Sequence, residues 1–171
     1  MAEAIATRRY ARQASRAARH ALAKLSPRAK GCIEGAEETA RMRDDDHVGT
    51  EHIVLGLIDG APEVVSVLSE LGITRGVFEA QLLDESGVSP DGPIPSTPRA
   101  RKALGFALRE ARDLHSHSVE PPHVLLGVID ESEYWRSLRP DGPHHLEQAL
   151  EAVGSSLAEL RAAVLGSIEV G

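Results

Sequence analysis

The sequence predicts an all-α protein: a tandem duplicated four-helix repeat, its halves related by a pseudo-twofold, with an extra N-terminal helical arm. Three observations carry this. First, sequence blocks return in order and without gaps at an offset of 71 residues. Ser26-Pro27-Arg28-Ala29 returns as Thr97-Pro98-Arg99-Ala100, Ala40-Arg41 as Ala111-Arg112, Val48 as Val119, His52 as His123, Leu55-Gly56 as Leu126-Gly127, and Ile58-Asp59 as Ile129-Asp130, the pattern of an internal duplication. Second, hydrophobic residues make up 42% of the chain but aromatics only 3%. The core must then be built from Ala, Leu, Val and Ile, which suits closely packed helices better than a sheet sandwich. Third, apolar residues between Ser/Thr-Pro starts and glycine stops fall at helical rather than alternating spacing.

Residues 1–24 carry Arg8, Arg9, Arg12, Arg16, Arg19 and Lys24 against the single acid Glu3, with no Gly or Pro, and read as a basic Ala/Arg-rich helical extension. Its apolar stripe is mostly Ala, which leaves two readings: a solvated, partly frayed extension, or an arm that docks on an acidic surface of the protein or of a partner. The double domain spans 25–168: repeat one over 25–86, a Pro/Gly/Ser linker over 87–96 and repeat two over 97–168. Each repeat is expected to hold one long and three short helices. In repeat one Ser26 caps and Pro27 opens a helix along Ala29, Ile33, Ala36 and Ala40. A second starts at Thr50 with Ile53, Val54, Leu57 and Ile58, and Gly60-Ala61-Pro62 breaks it. A third carries Val64 to Leu71 and ends at Gly72. Thr74 caps a fourth containing Val77, Phe78, Leu82 and Leu83. In repeat two Val67–Gly72 corresponds to Ala149–Gly154 at an offset of 82, so 11 residues are inserted near 131–145. That stretch holds Tyr134 and Trp135, and reads either as a surface loop whose aromatics cover the helices or as a partner anchor.

Composition narrows the function classes. Cys32 is the only cysteine, so neither an internal disulfide nor a Cys-based zinc site can form, and a reducing, cytoplasmic setting fits. No apolar run reaches the length of a membrane span, and arginines interrupt any signal-like N-terminus. Beyond residue 24 the chain carries 13 basic and 25 acidic residues, net −12, which argues against general nucleic-acid binding. No Gly-Lys dipeptide is present, so no Walker-type phosphate loop exists. Cys32 aligns with Ala103 and reads as a packed small residue rather than a nucleophile. His115, His117, His144 and His145 make the second half His-rich, but their spacings match no helical ligand pair, and no metal ligand set or cofactor is assigned.

Two stretches carry a resemblance. Ser26-Pro27-Arg28-Ala29-Lys30 leading to Gly49-Thr50-Glu51-His52-Ile53-Val54-Leu55-Gly56-Leu57, and Thr97-Pro98-Arg99-Ala100 leading to His123-Val124-Leu125-Leu126-Gly127-Val128, resemble the repeat of Clp N-terminal domains such as those of ClpC and ClpA, over about residues 25–168. The resemblance implies a stand-alone N-domain lacking the AAA+ ATPase modules. It implies a non-enzymatic protein- and peptide-binding module of the Clp chaperone-protease system, acting as adaptor, competitor or decoy. Its expected partners are substrates, adaptors, phosphoarginine-type ligands or the Clp ATPase itself; no membrane partner is expected, and the acidic body argues against nucleic acid. Two alternatives stay open: a sponge for cyclic-peptide antibiotics that target Clp N-domains, and a regulator acting through the basic arm.

By the same resemblance Thr50 and Glu51 would hold phosphoarginine, the carboxylate facing the guanidinium and helix-start N–H groups facing the phosphate; helix capping explains the same two residue types. Repeat two reads Glu120-Pro121-Pro122-His123 where the family has G-T-E-H, so a second site of this kind is expected to be lost, Glu120 sitting two positions early. His52 and His123 are expected to hydrogen-bond across the repeat junction. A candidate peptide or antibiotic surface comprises Leu25, Lys30, Ser96 and Arg101, with Leu25 and Ser96 standing where the family often has Phe. Tyr134 and Trp135 are the candidate partner anchor.

Overall fold

The structure, a computed structural model, describes residues 15–82, 87–142 and 144–170. Arg8, Arg9 and Arg12 of the arm, Leu83 of the fourth expected helix and Pro143 of the insertion lie outside the described residues. A first helix, α1, covers 15–22. Repeat one follows as α2 (Pro27–Met42), α3 (Thr50–Gly60), α4 (Pro62–Glu70) and α5 (Arg75–Glu79). Repeat two is α6 (Pro98–Asp113), α7 (Pro121–Leu138), α8 (His145–Ala152) and α9 (Leu157–Val170).

Local chemistry sets these boundaries. The Ser26 and Thr97 hydroxyls accept the N–H groups of Ala29 and Ala100 at 3.2 and 3.0 Å, with proline at the first helical position of both α2 and α6. Such caps contribute about 1 kcal/mol each. Thr74 caps α5 through Val77 N–H. The backbone repeats the sequence offsets: Asp44 and His115, 71 apart, both take φ 56°, while Gly72 and Gly154, 82 apart, take φ 81° and 75°.

In each repeat the two long helices pack side by side at a glycine. A Cβ on Gly56 would overlap the Cys32 carbonyl oxygen, and one on Gly127 the Ala103 carbonyl oxygen. These contacts bury Ala29, Cys32 and Ala36 on α2 and Ala100, Ala103 and Ala107 on α6, the small residues that close approach requires.

The repeats are joined crosswise. Leu25 pairs with Val119, and Val48 with Ser96, in isolated parallel bridges. Ser26 N–H donates to the Val119 carbonyl (3.0 Å) and Val119 N–H to the Lys24 carbonyl (2.8 Å); in the mirrored junction Thr97 N–H donates to Val48 and Val48 N–H to Pro95, both at 2.9 Å. Each lead-in thus pairs with the other repeat, which is the expected pseudo-twofold in hydrogen bonds. The short helices cross too: α4 packs on α9, and α5 on α8.

Repeat two departs from the expected one-long, three-short pattern. The insertion is largely helix, not loop: α7 runs 18 residues against 11 in α3, and among its described residues only 139–142 and 144 are non-helical. Residues 131–138 contain no Gly or Pro, so nothing stops the helix before Arg139-Pro140. The linker is not free either. Arg41 donates to the Pro90 and Gly92 carbonyls at 3.1 Å, Ser89 Oγ donates to the Asp45 carbonyl, and Ile94 is buried. Residues 15–22 are packed rather than solvated: Ala18 and Ala21 are buried, and Ala17 lies against Gly105 of α6. Among the described residues no single helix is long and apolar enough to cross a membrane.

Candidate binding site

The start of α3 is built around its first turn. Gly49 is the N-cap, so Thr50 is the first helical residue and not the cap, and its side chain is buried. The reciprocal half of a capping box supplies the cap: His52 Nδ1 accepts the Gly49 N–H at 3.0 Å. With Nδ1 accepting, Nε2 carries the proton, and it donates to Asp45 Oδ2 at 2.9 Å. Asp45 is buried and faces Arg43 at 3.4 Å. His123 repeats the arrangement at α7, its Nδ1 accepting the Glu120 N–H at 2.9 Å. Both histidines therefore bond within their own helix start, not across the repeat junction, because a ring at the third helical position reaches back to its own cap. Ser116 stands where repeat one has Asp45, so His123 Nε2 is buried with no hydrogen-bond partner. Burial holds the His123 imidazole below its ordinary pKa, against the charges of Glu120 and Glu110.

Glu51 folds back over its own helix start, its carboxylate occupying the space where a Gly49 side chain would begin. Its side chain is 20% exposed, with Oε1 3.3 Å from His52 Nδ1 and 3.9 Å from His47 Nε2. Burial opposes charge on His47, but its 2.7 Å hydrogen bond to Asp46 and the charges of Glu51, Asp46 and Asp45 raise its pKa above the ordinary histidine value.

Beside Thr50 and Glu51 lies a cavity of about 10 Å³, room for about one water, lined by residues of both repeats that include Phe78, Arg99, Ser132 and His145. Arg99, from the mirrored helix start, forms a two-pronged pair with the fully buried Glu131 at 2.8 Å for each prong. His145 Nδ1 lies 3.1 Å from the Gln81 carbonyl and ties α8 to the end of repeat one. Neither Arg99 nor Glu131 was singled out by sequence. The available signal was Glu131 itself, an acid one turn beyond Gly127 on the buried face of α7.

Elsewhere, Leu25 and Ser96 sit in the two crossed junctions, and Lys30 forms an exposed pair with Glu34 at 3.8 Å. Arg101 donates to the Ser96 carbonyl at 2.6 Å. Tyr134 is exposed, whereas Trp135 is half-buried with its indole N–H internal. Among the described residues no group of three His, Cys, Asp or Glu side chains could hold a metal ion.

Residues 24–139 match the Clp repeat (R) N-terminal domain. The chain belongs to the Clp N-domain family. Its relatives include the ClpC ATP-binding subunit of the ATP-dependent Clp protease of Staphylococcus aureus, 36% identical over 114 residues. That match takes in 64% of this Clp N-domain chain, but the chain spans only 14% of the relative's length. Among solved structures, the N-terminal domain of the ClpD chaperone of Arabidopsis thaliana superposes with a TM-score of 0.64 at 19% identity, over 86% of this chain and 96% of that one. The Hsp104 N-terminal domain of Candida albicans gives 0.63 at 16% identity, over 83% and 89%. At such identities the likeness shows the fold alone. The Clp N-domain is a protein-interaction module.

Proposed function

We propose that this Clp N-domain binds protein segments at the start of α3 through a guanidinium group received by Glu51, with phosphoarginine-bearing segments as the ligand class, and so delivers or withholds clients of a Clp chaperone. One observation carries the reading. Most partly buried carboxylates elsewhere are matched by arginine: Glu63 by Arg28, Glu110 and Asp130 by Arg161, Glu131 by Arg99 and Glu147 by Arg136, while Glu120 accepts from the Ser118 hydroxyl. Glu51 has no Arg or Lys partner among the described residues. A carboxylate at a helix start without a cation of its own is suited to an incoming guanidinium fork, and the first-turn N–H groups of α3, which lack intrahelical acceptors, suit a phosphate. Binding requires the Glu51 side chain to swing off Gly49.

Calorimetry with phosphoarginine tests this: heat from the wild type, abolished in Glu51→Ala and retained in Glu120→Ala, is expected. Absence of heat from the wild type would sink the reading. Nothing favours the cyclic-peptide alternative, because Arg101 is turned onto Ser96 and α1 lies along α6 at Gly105, so part of that surface is covered by the chain itself. The alternative through the basic arm draws on six basic residues, of which Arg8, Arg9 and Arg12 lie outside those described.

A further inference from the structure

We propose that the turn between α7 and α8 builds a second binding site, one that takes an alkylammonium or guanidinium cation. A cleft of about 490 Å³ opens there, within the range of roughly 300–1,000 Å³ that small-ligand sites span. It is lined by Arg136 of α7, by Asp141 and Gly142 of the turn, by His144 at the cap of α8, and by Glu147 and Glu151 along that helix. The cavity beside Glu51 shares none of these residues, so the proposal is independent of the Glu51 reading.

His144 points to a ligand. It is only 8% exposed, and its Nε2 lies 3.1 Å from the Arg139 carbonyl oxygen. A carbonyl oxygen only accepts, so Nε2 donates, and Nδ1 of the neutral ring is left as an acceptor. That Nδ1 has no hydrogen-bond partner among the described residues, and the ring does not cap its own helix. A buried acceptor without a donor is costly. In a wall of the cleft, an N–H entering from the cleft removes that cost.

The surrounding charges select which N–H group enters. Glu147 is held by Arg136, whereas Asp141 and Glu151 are exposed and have no cationic partner among the described residues. Three carboxylates against one guanidinium give the lining a net charge of −2. The start of α8 opposes this with only about half a positive charge. An N–H donor that is itself a cation therefore fits both the acceptor and the field. A lysine or arginine of a protein segment and a free polyamine share this chemistry. The duplication shows that the fold does not need these groups. At the offset of 82, Pro62, Val65 and Ser69 of α4 stand where repeat two has His144, Glu147 and Glu151. Arg136, Asp141 and Gly142 belong to the insertion and have no counterpart. A helix that forms with proline, valine and serine has no structural call for a histidine and two acids there.

The cleft has its own reporter. A Cβ on Gly142 would lie 3.0 Å from Nε1 of Trp135, the single tryptophan of the chain. Titration of the full chain at low salt, with a capped peptide of alternating Gly and Lys and separately with spermidine, is followed by tryptophan emission and calorimetry. Saturable binding of at least one is expected, and the tighter of the two names the source of the cation. Asp141→Asn combined with Glu151→Gln should weaken binding roughly tenfold. Glu38→Gln combined with Asp113→Asn, which removes the same charge from exposed positions elsewhere, should leave it unchanged. His144→Phe keeps a ring but removes the acceptor, and should weaken binding about fivefold; if that variant fails to melt as the wild type does, the Asp141/Glu151 pair decides. No saturable binding of either cation, unchanged affinity in a folded cleft variant, or an equal loss in the Glu38/Asp113 control would each overturn the proposal.

Discussion

Gly56 and Gly127 fix how closely the paired helices approach. Gly56→Ala forces a methyl group into the Cys32 carbonyl and the Ala36 backbone, and overpacking of this kind costs about 1–3 kcal/mol; chemical denaturation should show that loss, and a near-neutral result would mean that α2 and α3 slide apart freely. His123 offers the opposite change. Its buried Nε2–H lacks the acceptor that Asp45 gives His52, yet the backbone around Ser116 copies that around Asp45: Ser116 N–H donates to Ala111 at 2.8 Å as Asp45 N–H does to Ala40 at 2.9 Å. Ser116→Asp should therefore stabilise the protein by about 1 kcal/mol, read as a higher denaturant midpoint, and fail to do so when combined with His123→Ala. At Glu51, protonation of His47 adds a competing cation, so phosphoarginine affinity should rise as pH climbs through the raised His47 pKa, and His47→Gln should flatten that rise. The sequence announced the histidines and Glu51 through their recurrence and motif. It did not announce their partners, because Asp45 is seven residues from His52 across a tight turn and only the turn's geometry brings them together.

Helices α7, α1 and α9 show what an element adds beyond its residues. The insertion was legible as an offset change from 71 to 82, but its form was not. Pro140, Gly142 and Pro143 signal a turn, while the helix-compatible residues before them were masked by that composition. The covering role of α1 was equally hidden, because an alanine stripe is too weak a periodic signal to distinguish docking from solvation. A Cβ at Gly105 would lie 2.8 Å from Ala17 Cβ, so Gly105→Leu should lift α1 from α6, seen as faster amide exchange confined to residues 15–24. Helix α9 is held by Arg161, which pairs with Glu110 on α6 at 2.8 Å and Asp130 on α7 at 2.7 Å. Burial and the neighbouring Glu110 push the Asp130 carboxyl up to about 6, against the pull of Arg161 and Arg109. Burial also works against charge on Glu110, but its hydrogen bond to Arg161 leaves it below its ordinary value. A carboxyl whose pKa is raised on folding keeps a proton that the unfolded chain has released, so Asp130 lowers stability as pH rises from about 4 to about 6. Asp130→Asn should remove this component, and denaturation midpoints of wild type and variant should diverge across that window; parallel profiles would contradict it.

At the scale of the whole molecule, the duplicated all-α fold was legible because duplication is written directly in the offsets. How the copies join was not. The crossed lead-ins involve four short stretches whose pairing is a matter of backbone hydrogen bonds, to which residue identity contributes little. Cross-joining leaves each half incomplete by itself: repeat one lacks a partner strand for Leu25, a neighbour for α4 and a neighbour for α5 until repeat two supplies them. A domain of about 60 residues buries too small a fraction of its surface to absorb such losses easily. The linker then serves as a leash between two pieces that already recognise one another. Chains ending at residue 86 and beginning at residue 87 should each melt without cooperativity alone, yet recover a cooperative, concentration-dependent transition when mixed, since severing the leash turns an internal closure into a bimolecular one. A half-length chain of this sequence type would find its missing surfaces on a second copy of itself, and the pseudo-twofold would become the symmetry axis of a homodimer with exchanged lead-ins.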